Sequence, residues 1–193
     1  MDNKKMKIRD IITVTLLTLC NLLIYSIGIF TYATPVTVLL TPVIYAILQG
    51  IVFFAIGVKV QKKGAFLLYC TIMGAVGFYP PYTILFIISG IVAEGILKKN
   101  GYGNLKAIGK AYVIQQALAS IGSVIYPYGF SLKKTLKMVD DANVAKNISN
   151  AGSMISSWGA LVLLVLVIFA AGIGANMGRR VVTKHFLTKN LSL

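Results

Sequence analysis

Long apolar runs, separated by short connections, decide what this chain can fold into. Of its 193 residues, 57% are hydrophobic and only 12% are charged, whereas a soluble domain carries about 25% charged residues. Because this number of charged residues is too small to cover the surface of a soluble protein, we expect an integral membrane protein. Six runs occur, at about residues 11–31, 38–58, 65–79, 82–97, 107–126 and 154–177. The predicted fold is therefore an all-α membrane protein, with one domain of six transmembrane helices over residues 1–193.

The runs differ in length. Runs three and four are the shortest, and Pro80-Pro81 separates them with a tight turn. Because crossing a membrane takes about 20 residues, we expect these two helices to be little tilted or to border thinned membrane or a cavity. The first run follows a basic segment, as in a signal peptide, but its length favours an uncleaved first helix.

The basic residues predict the orientation. With six crossings both termini share one side, and that side carries 15 of the 19 Lys and Arg residues. Basic loops stay inside, so we predict that both termini are cytoplasmic. The formal charge of +14 does not indicate a nucleic-acid partner, because the cations lie in small clusters between apolar runs, as they do at the cytoplasmic flanks of membrane helices. The expected partner is the lipid bilayer. The 15 are Lys4, Lys5, Lys7, Arg9, Lys59, Lys62, Lys63, Lys98, Lys99, Lys106, Lys110, Arg179, Arg180, Lys184 and Lys189.

The one long hydrophilic connection, residues 126–153, is then on the outer side with the other four lysines, Lys133, Lys134, Lys137 and Lys146. Within it, apolar residues and Asn143 recur at helical spacing after Ser131, a suitable N-cap. This pattern predicts a short amphipathic helix in the outer loop between helices five and six. Two interpretations stay open: an interfacial anchor whose lysines reach for water, or a lid over a pocket at residues 131–147.

Catalytic side chains are scarce. The only acid inside a run is Glu94, and the only histidine, His185, lies in the basic tail. No His, Cys or carboxylate residues have the spacing of metal ligands. We therefore expect no enzyme, no catalytic residue, no metal site and no cofactor. Glu94 precedes Lys98 by one helical turn, which predicts an ion pair near the cytoplasmic surface.

Polar and aromatic side chains collect toward the outer ends of the runs. Such rings settle at the interface of any membrane protein, but here they occur with amides and hydroxyls that can orient a ligand. This combination favours a small-molecule pocket. Without an obvious buried cation, the pocket favours a neutral or aromatic solute. The candidate binding residues are Tyr79, Tyr82, Gln115, Gln116, Ser123, Tyr126, Ser157 and Trp158.

Small residues in the sixth run predict close helix packing. Ala170, Gly174 and Gly178 are spaced by four and share one face of a helix. The neighbour is either another helix of this chain or a partner subunit, and the sequence favours the internal contact without deciding it.

Three stretches carry a family resemblance: residues 59–65 (KVQKKGA), 90–94 (GIVAE) and 174–186, which holds Gly174, Gly178-Arg179-Arg180 and Lys184-His185-Phe186. Together with six short helices and a basic inner face, they resemble the substrate-binding S component of an energy-coupling factor (ECF) type ABC transporter. More narrowly, the chain resembles the MptD / Trep-Strep family of bacteria.

That resemblance implies high-affinity capture of a vitamin-like or other small solute in a bacterial cell membrane. A transmembrane coupling subunit and two ATP-binding subunits would supply ATP hydrolysis, and the binding site would lie near the outer face, among the last three helices and the outer loops. Many S components dock through Ala-x-x-x-Ala on the first helix. Here Thr13, Thr15 and Thr18 stand in that region, so docking would use threonines. The alternatives are a structural or assembly membrane protein without a ligand, and a stand-alone small-solute carrier.

Overall fold

The protein is a bundle of helices. The computed structural model describes residues 5–77, 79–155 and 157–187. Within those ranges no strand forms. A 3-10 helix (Ile27–Ala33) extends the first helix, and π-helical turns extend the sixth (Ile121–Phe130) and the ninth (Thr183–Leu187). The helices are α1 (Ile8–Ser26), α2 (Pro35–Leu48), α3 (Gly50–Lys59), α4 (Ala65–Val76), α5 (Pro80–Asn100), α6 (Leu105–Ser120), α7 (Leu132–Leu136), α8 (Ala142–Met154) and α9 (Ser157–Val182).

Four helical stretches are long and apolar enough to cross a membrane: Ile8–Ala33, Pro35–Lys59, Pro80–Asn100 and Trp158–Phe186. A fifth apolar helix, Ala65–Val76, is shorter. The prediction of an all-α membrane protein is confirmed, whereas the count of six crossings stays a prediction.

The fourth apolar run, residues 82–97, lies within a longer helix than its length predicted. α5 covers 21 residues, because the polar residues after Leu97 continue the helix. Gly101 ends it with φ of 93°, a conformation that side chains with a Cβ rarely adopt. The boundary of an apolar run is thus not the boundary of its helix, and the expectation of an unusually short fourth helix was wrong.

The small-residue stripe packs inside this chain. A Cβ atom added to Gly174 would collide with the backbone carbonyl of Ala46, and one added to Gly178 would collide with the carbonyl of Gly50. α9 therefore runs parallel to α2 and α3 with the backbones in contact, as small residues allow. These two glycines are consequently not available as a seam for another subunit.

The two ends of the helix bundle differ in composition. At one end the Lys62 ammonium pairs with Asp10 at 2.6 Å, and the Lys59 ammonium lies 4.9 Å from the centre of the Phe186 ring. These contacts bring the start of α1, the α3–α4 connection and the end of α9 together. We call this the basic end; Lys4 and Lys189 of the predicted cytoplasmic set lie outside the described residues. The opposite end holds the 3-10 helix, α7 and α8.

Glu94 does not form the predicted pair with Lys98 within the described part of the chain. Its Oε1 accepts hydrogen bonds from the backbone N–H groups of Phe66 and Leu67, at 3.0 and 3.4 Å. Its Oε2 accepts the Tyr102 hydroxyl at 2.9 Å. Burial and this hydrogen bond raise the pKa of Tyr102, so the hydroxyl keeps its proton and continues to donate. The carboxylate therefore caps the positive N-terminus of α4 and ties it to α5.

The connection before α9 contains two helices, α7 and α8, where one was predicted. α7 has only five residues, and the chain then turns before the thirteen-residue α8 begins. Asp141 supplies the N-cap of α8, because its carboxylate accepts the N–H groups of Asn143 and Val144. Ser131 gives α7 no side-chain cap. The predicted short helix after Ser131 is present as α7, but it ends at Leu136, and Asp141 starts a second helix that the sequence analysis did not predict.

Candidate functional site

Two connected chambers open into the end of the bundle opposite the basic end. The inner chamber has a volume of ≈ 60 Å³ and the outer one ≈ 350 Å³. Both are lined by five shared residues, which form a waist between them: Tyr25, Tyr32, Tyr82, Ser123 and Tyr128. A molecule in the outer chamber therefore meets the same rings as a group that reaches the inner one.

Amides and hydroxyls line the inner chamber. Gln116 donates its side-chain N–H to Gln49 Oε1 at 3.0 Å and to the Tyr112 hydroxyl at 3.2 Å. Gln49 lies at the junction of α2 and α3, so this bond joins α6 to that junction. Thr41 also lines the chamber and donates to the Thr31 hydroxyl at 2.6 Å. Most polar positions here hold partners within the protein, which fixes their orientation before any ligand arrives.

Tyrosines form the walls of the waist. The rings of Tyr25 and Tyr45 are stacked with their centres 5.1 Å apart, and the Tyr45 hydroxyl donates to the Tyr25 carbonyl at 2.6 Å. The hydroxyls of Tyr32 and Tyr128 lie 3.4 Å apart. Tyr82, in the first turn of α5, packs against Phe86 with ring centres 4.5 Å apart. Such rings offer flat apolar faces and hydroxyl edges to a ligand.

The outer chamber lies against the α7–α8 segment. Thr135, Met138 and Val139 line it from the first part of that segment, and Val144 and Ile148 line it from α8. This segment thus forms a wall of the outer chamber.

Hydrogen bonds hold that wall in place. The side-chain amide of Asn147 donates to the carbonyls of Tyr32 and Ala33, at 2.9 and 3.1 Å. The Thr135 hydroxyl donates to the Pro127 carbonyl at 3.0 Å. α8 is therefore fastened to the 3-10 helix that carries Tyr32.

The cavity is electrically neutral. No Lys, Arg, Asp or Glu occurs among the described residues that line the two chambers. A charged ligand would therefore lose its hydration without gaining an opposite charge, which is costly. The arrangement suits an uncharged molecule with a flat body and hydrogen-bonding edges.

Four predicted binding residues line the cavity. Tyr79 lines the outer chamber, Gln116 lines the inner one, and Tyr82 and Ser123 line both. These positions come from the start of α5, from α6 and from the π-helical turns that follow it.

The other predicted residues lie elsewhere. Trp158 is 78% exposed, and Tyr126 is 41% exposed, its ring stacked on Phe130. Gln115 is fully buried away from both chambers, and neither polar atom of its side chain has a partner among the described residues. The side chain of Ser157 lies outside the described residues. Trp158 and Tyr126 are therefore not among the residues that line the two chambers.

The first two runs contribute polar and aromatic lining residues that the sequence analysis did not predict. Tyr25, Thr41, Tyr45 and Gln49 all line the cavity, whereas the resemblance implied a site among the last three helices and the outer loops. None of the described residues of α9 lines either chamber. The overlooked signal is the series of tyrosines and polar residues in the first two apolar runs. Positions that face lipid are usually aliphatic, so polar residues there indicate a face turned toward the protein interior.

The threonines proposed for docking are not equivalent. Thr18 is fully buried and its hydroxyl donates to the Val14 carbonyl at 2.8 Å. It cannot form part of an outer docking surface, so that prediction was wrong for Thr18. Thr13 and Thr15 are half-buried at the edge of the exposed apolar face of α1. That face includes Leu16 and Leu23, whose side chains are 57% and 72% exposed.

The chain matches the model of a known protein family. A family model described as "hypothetical bacterial integral membrane protein (Trep_Strep)" matches residues 8–187. No curated protein and no solved structure matched the chain. Because the match covers the helical bundle and both chambers, the chain belongs to the Trep_Strep family of bacterial integral membrane proteins.

Proposed function

We propose that this protein is the S component of an ECF transporter and captures a small uncharged solute at the outer face of a bacterial cell membrane. One observation carries the proposal: a neutral two-chambered cavity, lined with tyrosines and amides, opens at the end of the bundle opposite the basic end. Concave sites with apolar walls and a few convergent polar groups are the usual form of a small-molecule site.

A six-crossing topology accompanies this function. To the four long apolar stretches we add α4 and the rod formed by α6 and its π-helical turns (105–130). Both termini then share one side with the basic connections. Because basic segments stay in the cytoplasm, the cavity faces outward and meets its solute outside the cell.

Partner subunits supply the energy in this proposal. A transmembrane coupling subunit and two ATP-binding subunits bind and hydrolyse ATP, and this chain contributes the solute specificity. The exposed face of α1, led by Leu16 and Leu23 and edged by Thr13 and Thr15, is the docking surface that we propose for the coupling subunit. Thr18 is excluded from that surface by its burial.

The first test asks what the purified chain carries. Small molecules that co-purify are identified by mass spectrometry, and the affinity of the identified solute is measured for wild type and variants. Ser123→Phe places a ring at the waist of the cavity and should weaken binding by at least about tenfold, or 1.4 kcal/mol. Ser153→Phe adds the same ring at an exposed position on α8, and Trp158→Ala removes a ring outside the cavity; both should bind as wild type does.

The second test concerns transport. Co-expression with a coupling subunit and two ATP-binding subunits should yield a complex that accumulates the solute only in the presence of ATP. If no small molecule co-purifies and no complex forms, a structural or assembly role is correct instead. Uptake into liposomes that contain this chain alone would identify a stand-alone carrier.

A further inference from the structure

A groove lies on the surface of the bundle, near its basic end and away from the solute cavity. This apolar groove of ≈ 680 Å³ runs between α5, α6 and α9, with Ile96, Val113 and Ile114 among its lining residues. Asn176 lines both this groove and an adjacent, strongly basic cleft. The groove and the basic cleft therefore meet at this residue. Apolar and cationic surfaces are therefore joined in one continuous depression.

The groove exists because side chains are missing where helices could otherwise fill it. Gly109 on α6 and Gly172 on α9 both line it. A Cβ atom added to Gly172 would meet no atom within 4 Å, and one added to Gly109 would come no closer than 3.6 Å to Phe54. The two glycines thus leave an open channel in the helix surface, in contrast to Gly174, whose face is filled by α2.

The basic cleft has no counter-charge within the described residues. Arg179, Arg180 and Lys184 line it, and Lys110 lies at the edge of the groove.

The described acids are all engaged or distant. Asp10 pairs with Lys62 and Glu94 caps α4, while Asp140 and Asp141 lie between α7 and α8 at the opposite end. The cluster of cations is thus available for an anion from outside the chain.

We infer that the depression binds an anionic phospholipid, with its phosphate against Arg179, Arg180 and Lys184 and an acyl chain along the groove beside Gly172. The charge complementarity accounts for the headgroup, since basic clusters at the cytoplasmic surface attract anionic lipids. The apolar groove that continues from the basic cleft accounts for binding of the acyl chain, a part that free phosphate lacks. This site is separate from the solute cavity and requires only that the bundle be embedded in a membrane.

The test uses the full-length chain, delipidated in a neutral detergent and titrated with phosphatidylglycerol or phosphatidylcholine under native mass spectrometry. Wild type should retain phosphatidylglycerol at least about tenfold more tightly. Arg179→Gln/Arg180→Gln should weaken its binding about fivefold for each cation removed, the usual contribution of a basic residue near an anionic surface. Gly172→Leu should also weaken binding, by filling the groove.

Matched controls separate this site from general charge and bulk. Gly95→Leu adds the same side chain on α5, where an added Cβ also meets nothing within 4 Å. Lys133→Gln/Lys134→Gln removes two cations at the opposite end. Both should bind phosphatidylglycerol as wild type does. Equal affinity for the two lipids, an undiminished affinity in Gly172→Leu, or competition by free glycerol phosphate would each overturn the proposal.

Discussion

Gln116 on α6 donates its side-chain amide to Gln49 across 3.0 Å, at the floor of the inner chamber. Gln49 occupies the junction where α2 ends and α3 begins, and both residues are at most 3% exposed. The bond therefore fixes the depth of the cavity and joins two helices that are far apart in sequence.

Replacement of both glutamines should cost less stability than the two single replacements added together. Gln116→Leu leaves a buried Gln49 amide without its partner, which costs about 1–3 kcal/mol of unfolding free energy. The double variant Gln49→Leu/Gln116→Leu should lose less than the sum of the two single variants, because no polar group is then stranded. Reversible unfolding in mixed micelles measures all three; strict additivity would contradict a direct bond.

Gly174→Leu should destabilise the bundle by about 3 kcal/mol or more, because overpacking a filled contact forces backbones apart. The control is Gly172→Leu on the same helix, where the added side chain meets open space, and it should fold normally. Thermal unfolding and the yield of folded protein make the comparison. A Gly174→Leu protein that stays folded but changes its oligomeric state would instead indicate a seam between subunits.

Removal of the Glu94 charge should loosen the start of α4. Glu94→Gln keeps an acceptor for the α4 backbone but loses the charge–dipole attraction, at a cost of about 1–2 kcal/mol. Lys98→Gln should change stability by less than about 0.5 kcal/mol, since Lys98 is exposed and unpaired with Glu94 within the described chain. Hydrogen exchange at the Phe66 and Leu67 amides gives the local readout. A larger loss of stability in Lys98→Gln than in Glu94→Gln would instead support the ion pair between Glu94 and Lys98 that the sequence predicted.

Asn147→Ala should release α8 from the 3-10 helix. The substitution removes hydrogen bonds to the Tyr32 and Ala33 carbonyls, each worth about 1 kcal/mol. We expect faster hydrogen exchange in α8 and faster dissociation of a bound solute. Asn150→Ala makes the same change at an exposed position of α8 and should alter neither. If both variants behave alike, the effect reflects helix propensity and the wall is not held by Asn147.

Sequence reasoning located the helices well because each apolar run is long and its connections are marked by basic residues, proline or glycine. It failed at helix ends. The residues from Lys98 to Asn100 are polar yet helical, and Asp141 begins a helix within a loop. Local capping decides such boundaries, and apolar content does not report it.

The site was harder to predict because it depends on which face of each helix turns inward. Gln115 and Gln116 are neighbours in sequence, but only Gln116 lines the cavity. Tyr32 reaches the waist from the 3-10 turns that follow α1, a change of helix type with no clear sequence mark. Glu94 likewise has a near neighbour in Lys98, but it bonds to groups that only tertiary packing brings within reach.

The backbone contact between α9 and α2 has a mechanical consequence. The Ala46 carbonyl touches Gly174 and also accepts the Tyr112 hydroxyl at 2.8 Å, so three helices meet at one peptide group just below Gln49. Because no side chain separates these backbones, we expect this side of the bundle to be rigid. We expect a change in cavity size to occur at the opposite wall, where a few hydrogen bonds hold the 3-10 turns and α8. The cavity thus combines a rigid wall, backed by the contact between α9 and α2, with a second wall that only a few hydrogen bonds keep in place.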